Sequence, residues 1–246
     1  ELKLIRGNEI YLCRDGLTSD NFERGKDKYY HFILLAKDAE GHQQIRELST
    51  RAWMRSWVAG KMRRVPTFYQ DLLDIIATNP GHVIGSTACL GGFLGTKLQQ
   101  YHQTQDAQLY SNICYWLKSM ENIFGQGNFY LELQNHGIRE QQQIEPLMIK
   151  LAQETGIGLV ATNDTHYVNR EDSKTQKILV CVATNTTLDQ ESTLEFQTDE
   201  FYLKSGRDFP DGAFYKEGLG ILGQVSQFAL QAHIATIGRS QPRDHL

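Results

Sequence analysis

Short apolar segments alternate with amphipathic segments along residues 1–208 of this 246-residue chain. Apolar runs such as "FILLA" and "VIGSTAC" are typical of buried strands, whereas residues 38–57, 106–124 and 138–155 place apolar side chains at helical spacing. Strands that alternate with helices are the mark of a parallel sheet or a (β/α) barrel. We therefore predict an α/β fold in which "YYHFILLAK" is a buried parallel strand.

The sequence changes character after Phe209. Residues 1–208 carry the strand and helix pattern without an internal repeat, whereas residues 209–246 show weaker periodicity and scattered glycines. We predict one domain over residues 1–208 and a tail over residues 209–246 that is partly helical or disordered. The chain also begins within a strand-like run and without an initiator Met, so we expect its natural start to lie upstream.

Composition argues against two classes of function. A net charge of -4 gives no overall basic field, so tight non-specific nucleic-acid binding is not expected, although an enzyme that handles a nucleic-acid end transiently stays open. The longest apolar runs are far shorter than the roughly 18 residues that span a bilayer, so we predict no membrane segment.

The four cysteines are scattered without a CxxC pair, which indicates reduced thiols in a cytoplasmic protein.

The apolar run "IGLVAT" is followed closely by a carboxylate and an imidazole, Asp164 and His166. Successive side chains of a strand point to opposite faces, so these two residues would point the same way. Active sites are built at the carboxyl ends of barrel strands, and a carboxylate beside an imidazole can hold a divalent ion. An Asx turn that closes the strand, with a surface histidine beside it, explains the same residues.

Three more ligand-type side chains stand at predicted strand ends. Glu9 follows a predicted Gly-Asn turn, His31 begins the run "HFILLA", and Cys89 ends "VIGSTAC". Each can bind Zn²⁺, Mn²⁺ or Fe²⁺. Each residue also has a structural explanation. Glu9 fits an exposed carboxylate on an edge strand, His31 fits a hydrogen-bonded core histidine, and Cys89 fits a small buried hydrophobic residue. Together with the pair after "IGLVAT", they favour a shared metal site at one mouth of a barrel.

A series of motifs resembles a known family. In chain order these are "GNEIYL", "YYHFILLAKDAEG", "VIGSTACLGG", "NFYLELQNHGIREQQ", "LAQETGIGLVATNDTHYVNREDSKTQKILVCVAT" and "EFYLKS". Together they resemble the PHP (polymerase and histidinol phosphatase) domain, in particular that of the alpha subunit of bacterial DNA polymerase III. The resemblance covers nearly all of residues 1–208, and it implies a distorted (β/α)7 barrel that is incomplete at its N-terminus here.

The resemblance also implies a metal centre with up to about three divalent ions, Zn, Mn or Fe, that hydrolyses phosphoesters. The family's ligands fall on Glu9, His31, Cys89, Asp164 and His166, of which Asp164 and His166 would be catalytic. The thiolate of Cys89 would favour zinc. The family's opening HxHxxxS-type motif, an early Asp and a further His would precede Glu9 and are absent from this chain, so we expect incomplete or weak metal binding.

Three further polar residues follow or end predicted strands. Glu132, His136 and Asn163 are weaker candidates for outer partners that orient the metal ligands. A solvated carboxylate and a turn histidine explain the first two equally well. The basic segment "KMRRV" over residues 61–65 could contact a phosphate backbone, but the end of a solvated helix is the more common explanation.

The resemblance implies a role in DNA replication. The chain would be the PHP region of a DNA-directed DNA polymerase, a nucleotidyltransferase, with a metal-dependent 3′–5′ exonuclease site. Its partners would be the DNA primer 3′ end and, in the parent, other polymerase domains and replisome subunits. No aspartate cluster for polymerisation follows residue 209, so this chain alone is not expected to polymerise DNA. The alternatives are a free-standing phosphoesterase of the histidinol phosphatase type and a non-catalytic scaffold domain of the polymerase.

Overall fold

The computed structural model describes residues 4–59, 62–189 and 196–204, so the predicted tail over 209–246 lies outside the described residues. Within these residues, a 3-10 turn, Arg170–Asp172, precedes the helix Ser173–Thr184. The strands and helices in chain order are β1 (Gly7–Cys13), β2 (Tyr29–Ala36), α1 (Ala39–Met54), β3 (Trp57–Ala59), β4 (Met62–Arg64), β5 (Pro66–Thr67), α2 (Tyr69–Ile75), β6 (Val83–Ser86), α3 (Phe93–Thr104), α4 (Ala107–Phe124), β7 (Phe129–Gln134), α5 (Arg139–Thr155), β8 (Gly158–Thr162) and α6 (Ser173–Thr184).

Six strands form one mixed sheet in the order β5-β1-β2-β6-β7-β8. Strands β6, β7 and β8 are parallel, as are β1 and β5, and β2 runs antiparallel to both of its neighbours. The predicted α/β class is confirmed, but the prediction that "YYHFILLAK" is a parallel strand is wrong. Residues 14–28 connect β1 to β2 without a crossover helix, so β2 returns alongside β1 in the opposite direction.

Strand β1 is continuous from Gly7 to Cys13, so the predicted turn at Gly7-Asn8 is wrong. Gly7 lies opposite Leu35 of β2, and a Cβ at residue 7 would come within 2.7 Å of the Leu35 side chain. The glycine therefore allows two strands to approach closely, as glycines inside strands often do.

Helix α1 ends at Met54, before the end of the predicted helix over residues 38–57. The chain turns at Arg55, whose guanidinium contacts both carboxylate oxygens of Asp71 at 2.5 and 2.7 Å. Beyond this turn, β3 and β4 form a two-stranded hairpin. The interpretation of "KMRRV" as a helix end is therefore wrong, because Met62–Arg64 is a strand.

The main core lies between the sheet and its helices. Phe32 of β2, Phe124 of α4 and Phe129 of β7 are buried and stack with ring centroids 5.7–6.1 Å apart. Burying each ring stabilises the fold by roughly 2–3 kcal/mol. This packing holds α4 against the middle of the sheet, and the packed sheet positions the residues at its edge.

The four cysteines are all free thiols. Within the described part of the chain, no helix has the length and apolar character needed to cross a membrane.

Candidate metal centre

The polar residues singled out from the sequence gather at one edge of the sheet. The carboxyl ends of parallel strands meet at the same edge, so Cys89 after β6, His136 after β7, and Asp164 and His166 after β8 lie along it. Because β2 runs antiparallel to β6, the beginning of β2 reaches the same edge and carries His31. The predicted ligands form two groups at this edge.

The first donor group consists of Glu9, His31 and Cys89. The Nδ1 atom of His31 lies 2.8 Å from Glu9 Oε1 and 3.5 Å from Cys89 Sγ. Glu9 is the third residue of β1 and stands opposite Ile33, so its side chain reaches His31 diagonally across the strand pair. The prediction that Glu9 lies at a strand end is therefore wrong, although its contact with His31 brings together three of the predicted donors.

Hydrogen bonding sets the protonation of His31. The Cys89 sulfur and the Glu9 carboxylate accept from its ring and raise the pKa of His31 to about 10, although burial opposes this shift. The ring therefore carries a proton on both nitrogens at neutral pH when no ion is bound. A divalent ion at this group would compete with a proton, which makes binding pH-dependent.

The loop that carries Cys89 is tied to β2. Ala88 has a left-handed backbone with φ of 56°, and the chain bends there immediately before Cys89. The backbone N–H of His31 donates to the carbonyl of Gly91 at 3.2 Å. The separation between the thiol and the imidazole is therefore set by the backbone on both sides.

The second donor group consists of Asp164 and His166. Strand β8 ends at Thr162, and Asp164 has a left-handed φ of 42°, so the prediction that the two side chains share one face of a strand is wrong. The Nδ1 atom of His166 lies 2.6 Å from the backbone carbonyl oxygen of Asp164 and 3.9 Å from its Oδ1. Since a carbonyl can only accept, Nδ1 carries the hydrogen, and Nε2 is the nitrogen that can offer a lone pair to a ligand.

The second donor group is held in place by residues 196–204. The side-chain amide of Asn163 donates to the carbonyls of Glu200 and Tyr202 at 2.9 and 2.7 Å. The backbone N–H of His166 donates to the carbonyl of Phe201 at 2.8 Å. The conformation after β8 therefore depends on a segment more than thirty residues further along the chain.

His136 is buried and neutral. Its Nε2–H donates to the carbonyl of Asn163 at 2.9 Å, and its Nδ1 accepts from the Gln141 amide at 2.8 Å. Burial lowers the pKa of His136 to about 4, and its ring stacks on Phe201 with centroids 3.8 Å apart. Both ring nitrogens are occupied, so His136 positions Asn163 and does not act as a ligand. It is also no surface turn residue, because its exposure is 0%.

Glu132 is buried at 4% exposure, so the alternative of a solvated carboxylate is wrong. Its carboxylate accepts hydrogen bonds from the hydroxyls of Ser86 and Thr162 and from the amide of Gln134. These groups come from β6, β8 and β7, respectively. Glu132 therefore joins three parallel strands just below the edge that carries the donor groups, and its role as an outer partner of metal ligands stays a prediction.

Sequence reasoning missed two polar residues beside the second donor group. Thr165 is buried, and its Oγ1, like Oδ1 of Asn163 on the other side of Asp164, has no hydrogen-bond partner among the residues that the structure describes. Lys204 is 3% exposed and contacts Glu200 at 3.0 Å. The motif "EFYLKS" was the only sequence signal for Lys204, and nothing in the sequence marked Thr165.

The donor atoms fit a divalent transition metal in their chemistry, because they combine imidazole nitrogen, carboxylate oxygen and thiol sulfur. The Asn163 Oδ1 and Thr165 Oγ1 atoms that flank Asp164 are further polar groups without a partner in the described part of the chain. Within residues 4–59, 62–189 and 196–204, however, no group of three or more His, Cys, Asp or Glu side chains is arranged to hold an ion. In the first donor group, the Glu9 and Cys89 side chains instead contact His31 Nδ1 directly.

Comparison with known proteins gives consistent matches. The family model for the PHP domain matches residues 1–136. The probable DNA polymerase YorL of Bacillus subtilis is 37% identical over 183 residues, which are 70% of this chain and 14% of that protein. DNA polymerase III alpha subunits of Treponema pallidum and Thermus aquaticus are 33% and 32% identical over 206 residues. These matches cover 83% of this chain, which spans only 16% of the length of either subunit.

Proposed function

Because this chain belongs to the PHP domain family, we propose that it is the PHP region of a bacterial DNA polymerase III alpha subunit. The names of its relatives, which are DNA polymerases, support this assignment. The parent would be a DNA-directed DNA polymerase, a nucleotidyltransferase that works in DNA replication in the cytoplasm. Its partners would be the primer 3′ end, the other polymerase domains and replisome subunits. This chain alone would not polymerise DNA.

The site at the sheet edge would be a metal-dependent phosphoesterase that removes nucleotides from a DNA 3′ end. Glu9, His31, Cys89, Asp164 and His166 would hold divalent ions. When bound, these ions supply positive charge that binds phosphate oxygens and activates a water. The imidazole and thiol donors favour Zn²⁺, Mn²⁺ or Fe²⁺ over Mg²⁺.

The chain's own residues would prepare this chemistry. His31 would release the proton that it shares with Glu9 and Cys89, which frees Nδ1. His166 would present Nε2, since Nδ1–H is held by the Asp164 carbonyl. The contact of both Glu9 and Cys89 with one nitrogen of His31 is the observation that carries the proposal, because it unites residues that lie far apart in the sequence.

The test measures metal binding and hydrolysis by the 246-residue chain. After treatment with EDTA, the protein is titrated with Zn²⁺ or Mn²⁺ and then assayed at excess Mn²⁺ on a 5′-labelled single-stranded oligonucleotide and on p-nitrophenyl phosphate. Because metal binding by this chain is expected to be weak, release of nucleotides from the 3′ end should require the excess Mn²⁺, and we expect His31→Gln and Asp164→Asn to abolish it. His102→Gln, which changes an exposed histidine at the end of α3, is the matched control.

Hydrolysis of p-nitrophenyl phosphate without release of nucleotides from DNA would contradict the exonuclease proposal and favour the histidinol phosphatase type of activity.

A scaffold role is the second candidate. It is favoured by the hydrogen-bonded state of the first donor group and by the lack of a ready three-donor arrangement within the described residues. This role predicts negligible metal uptake at excess Zn²⁺ or Mn²⁺, together with unchanged thermal stability of the parent polymerase in Asp164→Asn.

A further inference from the structure

Half-buried aromatic rings and two arginines, of which Arg24 is exposed, form a strip between the β3–β4 hairpin and the first donor group. We define the aromatic strip as Tyr11, Tyr29 and Trp57 together with Arg24 and Arg64. Trp57 stands directly opposite Arg64 in the hairpin, so both side chains lie on the same face. The Arg24 guanidinium lies 5.0 Å from the ring centroid of Trp57, and that of Arg64 lies 5.9 Å from the centroid of Tyr29.

The aromatic strip continues without a break to the first donor group. The ring centroids of Tyr29 and Tyr11 are 4.9 Å apart, and those of Tyr11 and His31 are 5.6 Å apart. The register of β1 and β2 fixes this path, because Tyr11 stands directly opposite His31. A ligand that lies along the strip would therefore arrive at the imidazole that Glu9 and Cys89 contact.

The two arginines of the aromatic strip differ from a nearby arginine in that they form no ion pair with a carboxylate of the described residues. Arg55, nearby, is bound by both oxygens of Asp71. Arg24 and Arg64, in contrast, have no carboxylate within ion-pair distance among the residues that the structure describes, and they lie over aromatic rings instead. The charge of the nearby Asp27 is offset by Arg14, at 3.6 Å. The strip thus presents positive charge in a protein whose net charge is -4.

We propose that the aromatic strip binds single-stranded DNA and leads its 3′ end to the first donor group. Unpaired bases stack on aromatic rings, and arginine binds phosphate with its planar guanidinium, so a strip with both groups fits a single strand. A duplex keeps its bases stacked inside and offers no base faces to these rings. The proposal rests on the proposed function, in which the donor group acts on DNA.

The test measures binding of fluorescein-labelled oligo(dT) and of a duplex of equal length by anisotropy, in EDTA, at 50 and 200 mM salt. We expect oligo(dT) to bind more tightly than the duplex. Trp57→Ala should weaken binding of oligo(dT) at least about five-fold through lost stacking, and Trp57→Phe should restore most of it. Arg64→Gln should lower the slope of log affinity against log salt by about one. Arg46→Gln removes an exposed positive charge from α1 and should change neither quantity.

Hydrolysis assays test whether the strip leads to the donor group. In Mn²⁺, Trp57→Ala should raise KM for the oligonucleotide at least about five-fold and leave KM for p-nitrophenyl phosphate unchanged. Equal affinities of wild type, Trp57→Ala and Arg64→Gln for oligo(dT), or tighter binding of the duplex, would overturn the proposal that the aromatic strip binds single-stranded DNA. Neither result would contradict the proposed phosphoesterase activity. Strip-dependent binding without hydrolysis of any phosphoester supports DNA binding by the strip and contradicts the phosphoesterase.

Discussion

The first and second donor groups lie at the same edge of the sheet, but different parts of the chain hold them. Glu9 and His31 sit on adjacent strands and meet through strand register, and the side chain of His31 is 40% exposed. Asp164 and His166 lie beyond the end of β8 and are held by hydrogen bonds to residues 196–204. The first group therefore relies on regular structure, and the second relies on a distant segment.

Because of this difference, the two donor groups should contribute unequally to the stability of the fold. Removing a donor of the first group leaves β1 and β2 paired, because their backbone ladder does not depend on these side chains. The second group rests on a buried arrangement in which His136 holds the carbonyl of Asn163. We therefore expect substitutions around the second group to unfold or loosen the protein and substitutions in the first group to alter ligand binding with little loss of stability.

The largest expected effect is the truncation of His136. His136→Ala removes two buried hydrogen bonds and leaves a cavity beside Phe201, so the free energy of unfolding should fall by about 3 kcal/mol. His31→Ala, in the first donor group, should cost about 1 kcal/mol or less, because its contacts are partly exposed. Urea unfolding of both variants checks the contrast, and equal losses would refute it.

The two histidines should also respond oppositely to pH. The pKa of buried His136 is lowered to about 4, below its ordinary 6.5, so the unfolded chain takes up the proton first. Its contribution is complete above pH 6.5, and up to about 3 kcal/mol is lost as the pH falls towards 4. The pKa of His31 is raised to about 10, and because solvent screens this partly exposed ring, its contribution is only about 1 kcal/mol or less; it is complete below pH 6.5 and is lost as the pH rises towards 10.

Urea unfolding in EDTA from pH 4 to 10 measures both effects. His136→Gln should remove part of the acid-side loss, and His31→Gln should remove part of the alkaline-side loss. The opposite assignment of the two variants would show that the protonation states described for these residues are wrong.

A smaller effect is expected at Asn163. Asn163→Ala removes two hydrogen bonds to residues 196–204 and should destabilise the protein by about 2 kcal/mol. The backbone amide of His166, which donates to Phe201, should also exchange its hydrogen faster. Asn112→Ala, at an exposed position of α4, is the matched control and should stay within about 0.5 kcal/mol of wild type. Unchanged exchange at His166 in Asn163→Ala would mean that other contacts hold the second group.

The smallest effect on stability is expected at Cys89. Cys89→Ser should change the free energy of unfolding by less than about 1 kcal/mol, because the sulfur makes one long contact with His31. The loss of the softer sulfur donor should nevertheless lower affinity for Zn²⁺ more than affinity for Mn²⁺. Competitive titration of the two ions checks this: an equal loss for both would contradict the selectivity, and unchanged affinity for both would exclude Cys89 as a ligand.

The sequence predicts the fold well where local signals agree. The helices predicted over residues 106–124 and 138–155 match α4 and α5 closely. Asp106 caps α4 by accepting from the backbone N–H groups of Gln108 and Leu109. Gly156 ends α5 with a left-handed φ of 76°. Periodicity and capping chemistry are local properties, so they can be recognised without tertiary contacts.

The errors occur where distant contacts decide the structure. The direction of β2 depends on how residues 14–28 return, and helix α3, which follows the glycines at the end of "VIGSTACLGG", was not predicted. The β3–β4 hairpin follows a turn that Asp71 stabilises from another helix. At the candidate site, residue type indicated the candidate donors, whose role as ligands stays a prediction, but the diagonal contact of Glu9 and the bend at Asp164 are not visible in any local pattern.

The hydrogen bonds from Asn163 to residues 200 and 202 also bear on the biosynthesis of the protein. A ribosome makes the chain from its N-terminus, so β8 emerges well before the segment that fixes the conformation of Asp164. A nascent chain that ends before residue 200 would contain all five proposed ligands, yet the last two would lack the contacts that orient them. The second donor group should thus reach its final conformation later than the sheet does. Stalled ribosome complexes of increasing length can measure this delay.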